Sequence, residues 1–109
     1  MKNASLDCLQ SEVGEWSDKN FPDDLSYRKL LGIIEELGEL AHAHLKLEQG
    51  IRLDEPLTDM KKDAIGDLII YLLDYCHKEG LWLTDCIRLA WSKVKRREWR
   101  KRMEEENEQ

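Results

Sequence analysis

Between Thr58 and Gly80 the sequence describes a helix with almost no polar side. At about 100° per residue, Ile65, Leu68, Ile69, Leu72, Leu73 and Cys76 spread around most of its circumference. A helix at the surface of a domain keeps one broad polar face, whereas one that is apolar nearly all round is packed on several sides. This segment therefore predicts the central member of a helical bundle. It is interrupted by an acidic stripe formed by Asp63, Asp67 and Asp74.

Three further helices are predicted around it. The first spans about Ser5 to Asn20, with Ser5 as N-cap, and breaks at Phe21-Pro22-Asp23-Asp24. The second spans about Leu25 to Gln49 and stops at Gly50. Leu30, Ile33, Ile34, Leu37, Leu40, Ala41, His44 and Leu45 share one broad face of it, with His44 read as a core histidine and His42 and His77 as surface residues. After a loop containing Pro56, Thr58 is placed to cap the third helix. The fourth begins near Leu83, buries Leu83, Ile87, Ala90, Trp91 and Val94, and runs into a charged tail from about residue 100. No alternating strand pattern competes and no linker divides the chain. The expectation is one all-α domain over residues 1–109, a bundle of about four helices. Four short helices do not surround so apolar a member, so its remaining neighbours are expected from further copies, in a homodimer or homotetramer.

Charge narrows the function classes. The net charge is −6, opposite to the basic footprint that nucleic-acid binding requires. The N-terminal residues lack the apolar core of a signal peptide, and the longest apolar run, Leu68 to Leu73, cannot span a bilayer. Cys8, Cys76 and Cys86 are odd in number and show no CxxC spacing, as expected of reduced thiols in a cytoplasmic protein without membrane partners.

The second helix carries Glu35-Glu36-Leu37-Gly38-Glu39, whose carboxylates fall on neighbouring positions at spacings of three and four. Gly32 and Ala43 fall among them and are small enough to leave room for a ligand. Asp67 directly precedes Leu-Ile-Ile-Tyr-Leu-Leu, in the helix predicted to be most buried. A buried carboxylate needs a cation or a hydrogen-bond donor. Lys61 and Lys62 are the nearest organic cations, and Lys62 lies on a different face from the Asp63–Asp67 stripe. Five converging carboxylates without a Cys/His set suit a hard divalent cation, Mg²⁺, Mn²⁺ or Ca²⁺, rather than Zn²⁺. Each cluster alone would equally describe a solvated helix face.

Together, Glu35-Glu36-Leu37-Gly38-Glu39 and Asp63-Ala64-Ile65-Gly66-Asp67 resemble the EExxE…ExxD signature of the MazG-like all-α nucleoside triphosphate pyrophosphohydrolases, relatives of the helical dUTPases and dCTPases. The likeness runs from about Trp16 to Trp99. It implies a helical bundle completed by oligomerisation, with Mg²⁺ (Mn²⁺ as a substitute) as cofactor and hydrolysis of an NTP or dNTP to the monophosphate and pyrophosphate. Carried over by position, Glu36, Glu39 and Asp67 match metal ligands, and Glu35 matches a glutamate that binds metal or orients water. With Glu36 it forms the catalytic pair. The second motif departs from the family pattern: Ala64 stands where the glutamate belongs, and Asp63 is its candidate substitute. Tyr71 matches a tyrosine that reaches the phosphates, and Trp16 an aromatic ring offered to the base; both also suit plain packing. Lys93, Arg97 and Arg100 loosely match a basic stretch over the phosphates, and a self-paired charged tail describes them as well. The departure at Ala64 leaves a second reading open: a catalytically weak or inactive helical oligomer that senses nucleotides or binds partners.

Overall fold

The structure, a computed structural model, describes residues 5–52, 54–97 and 106. Among these, the chain forms four helices and no strand: α1 (Leu6–Asn20), α2 (Tyr27–Gln49), α3 (Leu57–Lys78) and α4 (Leu83–Val94). The expected all-helical class is found, and no helix among the described residues is long and apolar enough to cross a membrane. Arg100 and most of the expected tail lie outside the described residues.

The helix ends follow local chemistry. Ser5 caps α1, its Oγ accepting from the Cys8 N–H at 3.1 Å. Gly50 ends α2 in the left-handed conformation, φ +69°, which a glycine adopts without a Cβ penalty. Thr58 does not cap α3 as expected: that helix already starts at Leu57, after Pro56, with no side-chain cap. Pro56 itself occupies the N-cap position and brings no N–H of its own to be satisfied there.

α3 is the hub. It packs against α1, α2 and α4; α1 also meets α4, whereas α2 packs on α3 alone. The apolar core is small: Leu73, Cys76 and Leu83 are buried together, with Leu6, Val13, Leu72 and Tyr75 against them. Burying a leucine such as Leu73 contributes roughly 1.5–3 kcal/mol. Polar clamps complete the packing. Gln10 is buried, donating from Nε2 to the Leu81 carbonyl (2.7 Å) and accepting the Leu83 N–H (2.9 Å), which fastens the α3–α4 turn to α1. Asp18 binds both His77 Nε2 (2.8 Å) and Lys78 Nζ (2.7 Å), with the His77 ring lying close over Gly14.

Three expected faces turn out differently within one chain. On α2 the buried residues are Lys29, Gly32 and Ala43, while Leu30, Ile34, Leu37 and Leu45 are exposed, Ile34 at 66%. His44 is not a core residue; it is exposed, 3.8 Å from Glu48. On α4 only Leu83 is buried, and Ile87, Ala90, Trp91 and Val94 are exposed. α3 itself, though central, leaves Ile65, Ile69 and Ile70 open. The amphipathic period identifies which side chains share a face, but α2 uses its narrower, small-residue face to approach α3, and much of its broad apolar face is left exposed among the described residues.

Candidate functional site

α1 and α2 both rest on α3 without packing on each other, and the gap between them is a cleft of about 350 Å³. α3 supplies its floor through Asp67, Ile70, Tyr71 and Asp74. Val13, Trp16 and Phe21 form one wall, and Lys29 and Glu36 the other. Trp16 and Phe21 meet edge to face, ring centroids 5.6 Å apart. Past Lys29 the cleft continues into an open groove lined by Phe21, Pro22, Asp23, Asp24, Arg28 and Tyr71.

The α2–α3 seam has a regular register. Lys29 Nζ lies 3.1 Å from Asp74 Oδ2, Gly32 sits directly against the Tyr71 ring, and Glu36 feels the charge of Asp67. Steps of three and four up α2 are thus answered by the same steps down α3, as in antiparallel helices that present one continuous stripe to each other. Gly32 does not make room for a ligand as expected. A Cβ there would stand 2.7 Å from Tyr71 Cζ, so the missing side chain is what lets the tyrosine ring settle between the helices.

Of the residues singled out in the sequence, Trp16, Glu36, Asp67 and Tyr71 line this one cleft. Glu36 is the most constrained. Its Oε2 is buried with no hydrogen-bond partner, and burial pushes its carboxyl above the usual range, helped by the charges of Glu39, Asp67 and Glu35. Glu35 and Glu39 are themselves exposed. Asp63 is exposed one turn before Asp67 and does not line the cleft. Lys93 and Arg97 are exposed at the end of α4 and also lie off the cleft lining. Arg100 lies outside the described residues.

Two expectations are corrected. Asp67 is exposed, so it is not the buried carboxylate of α3; that residue is Asp74, 5% exposed. The neighbouring cation is neither Lys61 nor Lys62 but Lys29, which also binds Asp24 and lies 5.5 Å from the Phe21 ring centre. Burial pulls the Lys29 ammonium down, yet Asp24 and Asp74 outweigh it and hold it above its ordinary value. Ser17, fully buried, donates to Asp74 Oδ2 at 2.8 Å. Asp74 continues the Asp67 stripe by seven residues, and Lys29 precedes Glu36 by seven. That shared spacing is the signal from which the pair could have been read.

Among the described residues, no three Asp, Glu, His or Cys side chains are already gathered into a metal-holding group. The donor chemistry nonetheless fits a hard divalent cation. Glu36 presents an unpartnered buried oxygen, and the carboxylates acting on it are oxygen donors that repel one another until a cation joins them.

No family model, curated protein or solved structure matches this chain. Fold and site together define its class: an all-helical chain with an acidic, aromatic-walled cleft laid across its central helix.

Proposed function

We propose that this chain is a divalent-cation-dependent nucleoside triphosphate pyrophosphohydrolase, cleaving an NTP or dNTP to the monophosphate and pyrophosphate. The observation that carries the reading is the unpartnered Oε2 of Glu36, in the same cleft as Asp67, Tyr71 and Trp16. Glu36, Glu39 and Asp67 would hold Mg²⁺ or Mn²⁺, with Asp63 one turn away as a further donor. When bound, the ion offsets phosphate charge and polarises the bond that breaks. Glu35, beside Glu36, orients the attacking water or takes its proton. Tyr71 offers its hydroxyl to a phosphate oxygen from the cleft floor, and Trp16 offers its ring to the base.

Oligomerisation belongs to the same proposal. Ile34 and Leu37 on α2, Ile65 and Ile69 on α3, and Leu89 and Trp91 on α4 are exposed, Leu89 at 64%. Apolar surface on this scale favours a homodimer or homotetramer. Lys93 and Arg97 lie off their own chain's cleft and would reach phosphates from a neighbouring copy. Sedimentation showing a compact monomer at micromolar concentration would remove this part.

The direct test is pyrophosphate release from a panel of NTPs and dNTPs with Mg²⁺. Release that is lost in Glu39→Gln and Asp67→Asn supports the reading; release that survives both refutes it. One observation favours a second reading, a nucleotide-sensing oligomer without turnover: Ala64, 1% exposed, puts a methyl group rather than a carboxylate at its position in the seam. Nucleotide binding without pyrophosphate release would select it.

A further inference from the structure

Two buried carboxylate oxygens among the described residues lack a hydrogen-bond partner, and the side chains of both line the same cleft. Glu36 Oε2 belongs to the acidic end. The other is Asp74 Oδ1. The two oxygens of Asp74 differ: Oδ2 receives Ser17 Oγ and Lys29 Nζ, at 2.8 and 3.1 Å, while Oδ1 receives nothing. Leaving a buried carboxylate oxygen unmade is costly, and a purely structural ion pair would have it satisfied. Lys29 has three N–H donors and binds two carboxylates, which leaves one for another acceptor. This acceptor and this donor lie beside the aromatic wall of Trp16 and Phe21. Asp74 is two helical turns from Asp67, roughly 10 Å along α3.

We propose that Asp74 is the specificity-determining residue of this cleft and that it selects nucleobases carrying an exocyclic amine. The proposal deepens the pyrophosphohydrolase reading and rests on it for the triphosphate. Asp74 Oδ1 accepts an N–H of the amine, and the remaining Lys29 N–H donates to the ring nitrogen beside it, an arrangement that cytosine and adenine both present. An oxo group in place of the amine sets a carbonyl oxygen against the carboxylate. A site built to hydrogen-bond one group rejects the analogue lacking it strongly, because its own buried polar atom is left unpaired.

The experiment compares bases that differ only in this group. Pyrophosphate release is measured from CTP against UTP and from ATP against ITP, in ribo and deoxy forms. Binding of CMP and UMP to the same protein is measured by calorimetry. The wild type is expected to prefer the amino base by about tenfold or more. In Asp74→Asn the amide oxygen keeps the Ser17 and Lys29 contacts and its NH₂ takes the place of Oδ1, so the CTP/UTP preference falls towards parity: uracil gains a donor for its O4, while its N3–H still faces the Lys29 ammonium. Ser17→Ala weakens the same network but leaves the preference intact, which separates recognition from packing. Equal handling of CTP and UTP by the wild type overturns the proposal, whatever the variants do. So does failure of both CMP and UMP to bind. CMP preferred over UMP with no release from any triphosphate upholds the base selection and refutes the pyrophosphohydrolase; release without base preference does the reverse.

Discussion

Gly32 and Tyr71 are in direct contact across the α2–α3 seam, so close that a Cβ on Gly32 would stand 2.7 Å from Cζ of the ring. In an isolated helix alanine is favoured over glycine by about 1 kcal/mol, and here that preference is overridden. Gly32→Ala is expected to destabilise the chain by about 1–3 kcal/mol, as overpacking does. Tyr71→Ala should rescue part of the loss, a non-additive pair in a double-mutant cycle followed by urea unfolding.

Lys29 stands between two carboxylates, one of them buried. Lys29→Met leaves Asp74 without its cation, and a stability loss of about 3–5 kcal/mol is expected. Ser17→Ala removes one donor and should cost about 1–3 kcal/mol. Thermal unfolding of the two variants would read the difference; a Lys29→Met variant as stable as the wild type would mean that Asp74 is not held by this pair.

The Glu36 carboxyl is held above its ordinary value of 4.5, chiefly by burial and then by Glu39, Asp67 and Glu35. Such a group costs the fold stability when charged. The cost is relieved as pH falls through the raised value, and it vanishes below 4.5, where folded and unfolded chains are both protonated. Glu36→Gln should therefore melt higher than the wild type at neutral pH without metal, with the gap closing on acidification. The same variant should lose any rise in melting temperature caused by Mn²⁺.

Asp18 and Asp24 behave oppositely. Lys78 and then His77 hold Asp18 below 3.8, and Lys29, with Arg28, holds Asp24 below it. Their contribution is complete above pH 3.8 and is lost as pH falls through the lowered values. Asp18→Asn and Asp24→Asn should each flatten the acid limb of a stability–pH curve; Asp24→Asn should also alter the alkaline limb, because Asp24 helps hold Lys29 above its ordinary value.

Burial raises the Cys76 thiol, whereas Cys8 and Cys86 are exposed. Timed alkylation of the folded protein should modify Cys8 and Cys86 first, and Cys76 only on unfolding.

The helices and two of their ends were legible because they depend on local chemistry: the period of apolar residues, a serine before Leu6, and Gly50 at the end of α2; the cap expected of Thr58 was not found, α3 starting one residue earlier. Faces were harder. Periodicity shows that Leu30, Ile34, Leu37 and Leu45 lie together, but only the fold shows that α2 approaches α3 through Lys29, Gly32 and Ala43. The acidic residues were visible as a stripe, and four of the proposed site residues share one cleft. Which aspartate of the stripe is buried was not visible. It depends on Ser17 and Lys29, which come from other helices and are far from Asp74 in the chain. The same register places Ala64, which is buried, inside the seam.

Among the described residues α1 and α2 do not pack on each other, and the two walls of the cleft meet at one end, where Lys29 lies 5.5 Å from the Phe21 ring centre. α1 is pinned through Gln10, Ser17 and Asp18, and α2 through Lys29 and Gly32. The mouth of the cleft can therefore be re-proportioned by changing side chains on one wall, with the opposite wall undisturbed. A molecule gripping both walls farther along the cleft would be a second strut.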